Sequence, residues 1–175
     1  MKRILFLLFP IFLLVGCVAG RVNTFSNYEI PPKASFAIIG SEMPTPTERN
    51  IQKLISDEMV KRGYVPAINT NKADLAITYN YSIGEGQTVI SSKQDSYGRN
   101  KITSETEYPR YFIINLIDIK KSDQAKKIVI IWQGEVYSSG GSSNINRVAG
   151  AFVEAIFEQF GKSVTNERFV GSADL

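Results

Sequence analysis

Residues 111–137 read YFIINLIDIKKSDQAKKIVIIWQGEVY. Two apolar runs stand in it, Phe112-Ile113-Ile114 and Ile128 through Trp132, both rich in β-branched and aromatic residues. Runs this short and this β-prone are strands, and apolar loading on both faces places them deep in a sheet. The stretch therefore predicts two central strands, Tyr111–Ile119 and Lys127–Tyr137, joined through Lys120–Lys126. The basic residues Lys120, Lys121, Lys126 and Lys127 have two readings: a solvated turn that blunts aggregation, or a contact for anionic headgroups.

Working towards the N-terminus, Gly84–Tyr108 is polar, with β-prone pieces around Asp95-Ser96-Tyr97-Gly98, which predicts a projecting hairpin. Asp74–Ile83 alternates: Leu75, Ile77, Tyr79, Tyr81 and Ile83 share one face, the pattern of a half-buried antiparallel strand. Before it lies a helix with a strong start. Thr45 is the N-cap, Pro46 the first helical residue, and Glu48 completes a capping box. Ile51, Leu54, Ile55 and Met59 make its apolar stripe, and Gly63 ends it. Glu58 and Arg62 fall one turn apart, in the order that favours an ion pair at the helix rim. Ser35–Ile39 is a short strand led in by Tyr28–Pro32.

Towards the C-terminus, Ser138–Ser143 is a Ser/Gly loop, Asn144 caps a second helix, and Gly161 ends it. The tail from Lys162 has little pattern, though Phe169 and Val170 are candidates to dock on the domain. Strands in succession without intervening helices imply antiparallel pairing. The expected fold is α+β: a two-layer sandwich, a mostly antiparallel sheet with two helices packed on one face.

The chain opens Met1-Lys2-Arg3, followed by an apolar run from Ile4 to Val15 and then Gly16-Cys17. A positive start and an apolar run too short to span a bilayer make an export signal. Leu14, Val15 and Gly16 before Cys17 match the bacterial lipobox, so residues 1–16 are expected to be removed and Cys17 lipidated. Two or three acyl chains at about 0.8 kcal/mol per methylene make a durable anchor. Residues 17–27 are then expected as lipidated cysteine and tether, and 28–175 as one domain. Val18 after the cysteine favours the periplasmic face of the outer membrane in a Gram-negative host.

The precursor carries a net charge of +3, two of which leave with Lys2 and Arg3, too little to neutralise a row of nucleic-acid phosphates. There is no histidine, and Cys17 is the sole cysteine. Ser-His-Asp and Cys-His catalysis and imidazole or thiolate metal sites are excluded together; no metal and no cofactor is expected. Carboxylates remain: Asp74, Glu85, Asp95, Asp118 and Glu135 lie on or beside strands, but sequence pairs none of them in a cleft. Ser138–Ser143 precedes a helix start, where backbone N–H groups attract anions, but it lacks the Lys and spacing of a phosphate loop.

The second helix is apolar round about half its circumference, through Ile145, Val148, Ala149, Phe152, Val153, Ile156, Phe157 and Phe160. Either the tail and lead-in cover the excess, or Val153 and Phe157 belong to a surface for a partner or a second copy.

The lipobox, Gly63-Tyr64 after a helix, Ala73-Asp74-Leu75 before a Tyr-rich strand, Asn115-Leu116-Ile117-Asp118 and Trp132-Gln133-Gly134 together resemble a family. It is that of small bacterial envelope lipoproteins with a domain of unknown function (DUF4136). The resemblance spans nearly the whole chain after Cys17. It implies an outer-membrane-associated α+β domain and supplies no catalytic residues. Two functions follow as expectations. One is a membrane-anchored, non-catalytic binding or assembly module, held by membrane lipid through Cys17, with an envelope protein partner or homo-oligomer. The other is a carrier or enzyme acting on an envelope lipid or glycan, with a deep pocket lined by Tyr79, Tyr81 and Trp132.

Overall fold

The computed structural model describes residues 17–68 and 70–173. Leu14, Val15 and Gly16 lie outside the described residues. The elements in chain order are β1 (Cys17–Ser26), β2 (Ser35–Ile38), α1 (Pro46–Lys61), β3 (Val65–Pro66), β4 (Leu75–Ile83), β5 (Gln87–Gln94), β6 (Asn100–Asp118), α2 (Ile119–Ala125), β7 (Ile130–Gly140), α3 (Ala149–Glu158) and β8 (Val164–Ser172). The strands run β3-β2-β4-β6-β7-β1-β8 across the sheet, and β5, off that path, pairs with β6.

The two strands read first from the sequence, β6 and β7, are neighbours at the middle of that order. The sheet is mixed. β2 pairs parallel with both β3 and β4, while the remaining pairings are antiparallel. The reason is local: α1 lies between β2 and β4, and a helical crossover returns the chain in the same direction.

α1 starts as its sequence dictates. The Thr45 side chain accepts from the Glu48 N–H at 3.2 Å, and the Glu48 carboxylate accepts from the Thr45 N–H at 2.6 Å. Gly63 follows the helix with φ +84°, a left-handed turn open to glycine. Ile51, Ile55 and Met59 are fully buried.

Three expectations are corrected. Residues 17–27 are not a tether: Cys17–Ser26 is an inner strand between β7 and β8, with Val18 and Val22 buried. Its alternation of small and apolar residues fills a place that only those two partners define. Lys120–Lys126 is not a simple turn: Asp118 accepts from the Lys121 N–H at 2.8 Å and caps α2, a third helix. The last helix does not run from Asn144. Asn144 caps a 3-10 turn, Ile145–Arg147; Val148 breaks out of helical geometry, and α3 starts at Ala149.

One hydrophobic cluster joins α1, α3 and alternate residues of the strands. Phe112, Ile114 and Leu116 of β6 and Trp132 and Val136 of β7 are buried in it. The pairing register puts Gly134 beside Ile114, and a Cβ at 134 would run into Ile156. Absence of a side chain there lets α3 lie close on the sheet. The tail strand β8 completes the cluster, with Phe169 edge-on to Phe152.

Candidate functional site

The sheet register fixes what lies near Cys17. Gly20 faces Ser138 and Gly140 faces Tyr108, so Val18, Gly140 and Tyr108 stand level at one end of the sheet. Cys17 is exposed at that end. Beyond Tyr108, β6 runs on through Asn100, paired with β5 alone among the described residues, so an arm projects past the end of the sheet that carries Cys17. Eight residues of β5 at about 3.3 Å each give the arm about 26 Å. The expected projecting hairpin is thus present, and every residue of β5 is exposed.

At the arm's tip, the Asp95 carboxylate accepts from the N–H groups of Tyr97 and Arg99, both at 2.9 Å, and pairs with the Arg99 guanidinium. The Arg99 backbone bond is the largest of the contacts that hold the Asp95 carboxyl below the usual carboxylate range. Gly98 turns the chain with φ +78°. Ile90 is 71% exposed, Ile102 70% and Tyr97 83%. Two-stranded hairpins are marginal in water, so an arm with apolar residues on its surface is suited to gain order against another surface.

The proposed surface on α3 is corrected. Val153 and Phe157 are each 1% exposed, inside the core of this chain. Phe157 stacks on Phe160 at 5.5 Å and touches Trp132, while Arg62 lies over its ring at 5.1 Å. α1, the tail strand and the sheet cover the apolar excess that pointed outward in the sequence.

Asp74, Asp95, Asp118 and Glu135 are each engaged locally. Asp74 accepts from the Ser35 hydroxyl at 2.6 Å and from the Ser35 N–H at 2.9 Å, bonds that lower its pKa in that order. Asp118 caps α2 and pairs with Lys121 at 3.0 Å. Lys121 also lies over the Tyr28 ring at 5.1 Å. Glu135 sits on the sheet face opposite the core cluster, accepting from Tyr111 at 2.6 Å and from the Asn23 amide at 3.0 Å. Burial, and after it the Glu135 contact, push the Tyr111 phenol up to about 12. Glu85 is exposed, in the short link between β4 and β5. Among the described residues no three Cys, Asp or Glu side chains gather to hold a metal.

The aromatic pocket expected for a carrier does not form around Trp132. Its ring is 1% exposed and packed on Phe157 and Phe160, with Nε1 lacking a partner among the described residues. Tyr79 is instead half-buried, accepting from the Gln52 amide at 3.2 Å.

Sequence reasoning passed over Arg110. It stands in phase with Phe112, Ile114 and Leu116, and that alternation is the signal that carries it inward. It is 4% exposed and donates from Nε to the Ser142 carbonyl at 2.9 Å. The Ser/Gly loop read as a weak anion site is therefore wrapped round a buried guanidinium. Among the described residues no helix is long and apolar enough to cross a membrane.

No curated protein matches the chain in sequence. Among solved structures, it is similar to a PDZ domain protein from Parabacteroides distasonis, with a TM-score of 0.60 and 17% identity over 88% of this chain. The chain spans only 38% of that protein. It is also similar to a DUF4136 family protein from Bacteroides thetaiotaomicron, with a TM-score of 0.51 and 19% identity, covering 80% of this chain and 95% of the other. At such identities these likenesses speak to the fold. The family model for the domain of unknown function DUF4136 matches residues 20–160, most of the chain. The chain belongs to the DUF4136 family.

Proposed function

We propose that this protein is a lipid-anchored envelope component that acts as a non-catalytic binding or assembly module. Cys17 carries the lipid, and in a Gram-negative host the domain sits on the periplasmic face of the outer membrane. The observation that carries the reading is the shared end of the sheet: exposed Cys17 and the β5–β6 arm emerge together. With Cys17 inside a strand, no slack separates anchor from domain, and the arm is held among the headgroups beside whatever else occupies the bilayer. Its partner is then an envelope protein sharing that membrane, or a second copy of the chain. The α+β arrangement is read as two layers, α1 and α3 on one face of the sheet. That reading is supported by their single cluster with alternate strand residues.

Intact-mass measurement of the membrane-extracted protein tests the anchor. A chain beginning at Cys17 and carrying two or three acyl chains is the expected result. A chain that keeps residues 1–16, or has a free Cys17 thiol, overturns the proposal.

A further inference from the structure

The same end of the sheet holds a cleft of about 220 Å³, lined by Cys17, Arg110, Ser139, Gly141, Ser142 and Arg147 among others. Arg110 is its buried charged member, and its Nε bond to Ser142 fixes the plane of the guanidinium. Among the described residues Nη1 and Nη2 donate to no acceptor, and no carboxylate oxygen stands within ion-pair distance. Gly140 leaves room for the fork: a Cβ there would lie 3.0 Å from Nη2 and 3.2 Å from Nη1.

Glu107 acts on Arg110 electrostatically, yet its carboxylate accepts from the Ser139 hydroxyl at 2.6 Å instead. Burial, the larger influence, lowers the Arg110 pKa, and Glu107 opposes it. A cation taken from water without a counter-ion is costly, and proteins normally pair it. A guanidinium with two free, parallel N–H donors matches two oxygens of one oxyanion.

We propose that this cleft binds a tetrahedral oxyanion of the phosphate class, held bidentately by Nη1 and Nη2 of Arg110 beside the Ser139–Ser142 loop. Two sources share that chemistry: free phosphate, and the phosphodiester of a lipid headgroup. The headgroup source rests on the anchoring of Cys17, because only then does the cleft face the bilayer; the free-phosphate source does not.

The test is calorimetric titration of the full-length chain, extracted in a non-ionic detergent. The probes are inorganic phosphate, soluble dihexanoyl phosphatidylglycerol, and phosphate-free dihexanoylglycerol. Saturable binding of phosphate is expected, weakened about tenfold or more by Arg110→Met. Arg110→Lys is expected to fall between, since a point charge replaces the fork. It reads the same question should Arg110→Met fail to show a folding transition. Phosphatidylglycerol binding that phosphate competes away supports the site and assigns the headgroup; phosphate binding alone supports it and assigns the free anion. No saturable binding of either phosphate probe by the unaltered chain overturns the proposal, as does undiminished binding by a folded Arg110→Met protein. A chain that binds phosphate but lacks acyl groups on Cys17 keeps the site and loses only the headgroup source.

Discussion

Arg62 Nη2 donates to the Phe157 carbonyl at 2.6 Å, tying the end of α1 to the last turn of α3. Its Nη1 is held by the Glu58 side chain and by the Glu58 carbonyl at 3.0 Å. A helix's last carbonyls have no partners within the helix, and a cation there also meets the negative end of the dipole. The ion pair expected at a helix rim is thus a joint between two helices. Arg62→Met is expected to lower stability by about 1–2 kcal/mol in equilibrium urea denaturation. Lys at this position should recover only part of that, for it cannot hold Glu58 and Phe157 with one planar group. A loss within experimental error would show the joint to be ornamental.

Glu58 gives the joint a pH dependence. Burial raises its carboxyl pKa, but the bonds from Lys61 and Arg62, with their charges, outweigh burial and leave it below the usual range. A carboxyl depressed in the fold adds stability above its unfolded pKa, about 4.3, and that stability is lost as pH falls through the folded value. The stability difference between the unaltered chain and Glu58→Gln should therefore be present at pH 7 and shrink below about pH 4.3. A difference that stayed constant through acid would separate Glu58 from the effect.

Tyr111 acts at the other end of the scale. Its phenol, pushed up to about 12 by burial and then by Glu135, binds its proton more tightly folded than unfolded. Its contribution is complete below about pH 10, the unfolded value, and disappears as pH rises through about 12. Ultraviolet titration should show the last tyrosinate step missing from Tyr111→Phe. A step of unchanged size would place the late-titrating phenol elsewhere.

Phe157→Ala should cost about 3–5 kcal/mol, the range for removing a buried aromatic ring. Ile90→Ser and Ile102→Ser, on the exposed arm, should each stay within about 0.5 kcal/mol. Thermal melts that ranked them the other way would return Phe157 to the surface.

The Thr45–Glu48 box, the stripe of Ile51, Leu54, Ile55 and Met59, with Leu54 only partly buried, and the turn at Gly63 are local patterns. The β6–β7 pair was legible because its apolar density leaves few other places for it. β1 was not, because Val18, Gly20, Val22 and Thr24 make a weak stripe whose burial depends on β7 and β8, distant in sequence. Phe157 misled for the complementary reason: its covers, Arg62, Trp132 and Phe160, arrive from three different elements or loops. Arg110 follows Pro109 in a polar stretch and looks like surface. Only its phase with Phe112 hints at burial, and nothing local shows that Gly140 will clear a place for its guanidinium.

We propose that anchor and arm work together at one end of the sheet. In-cell photocrosslinking of the full-length chain, with the crosslinker at Ile90 or Ile102, tests it most directly. Ile68, 95% exposed away from the arm, serves as the comparison position. One discrete adduct is expected from both arm positions, absent from Ile68 and lost in Cys17→Ser. Adducts that form equally well from Ile68, or survive Cys17→Ser unchanged, would contradict it.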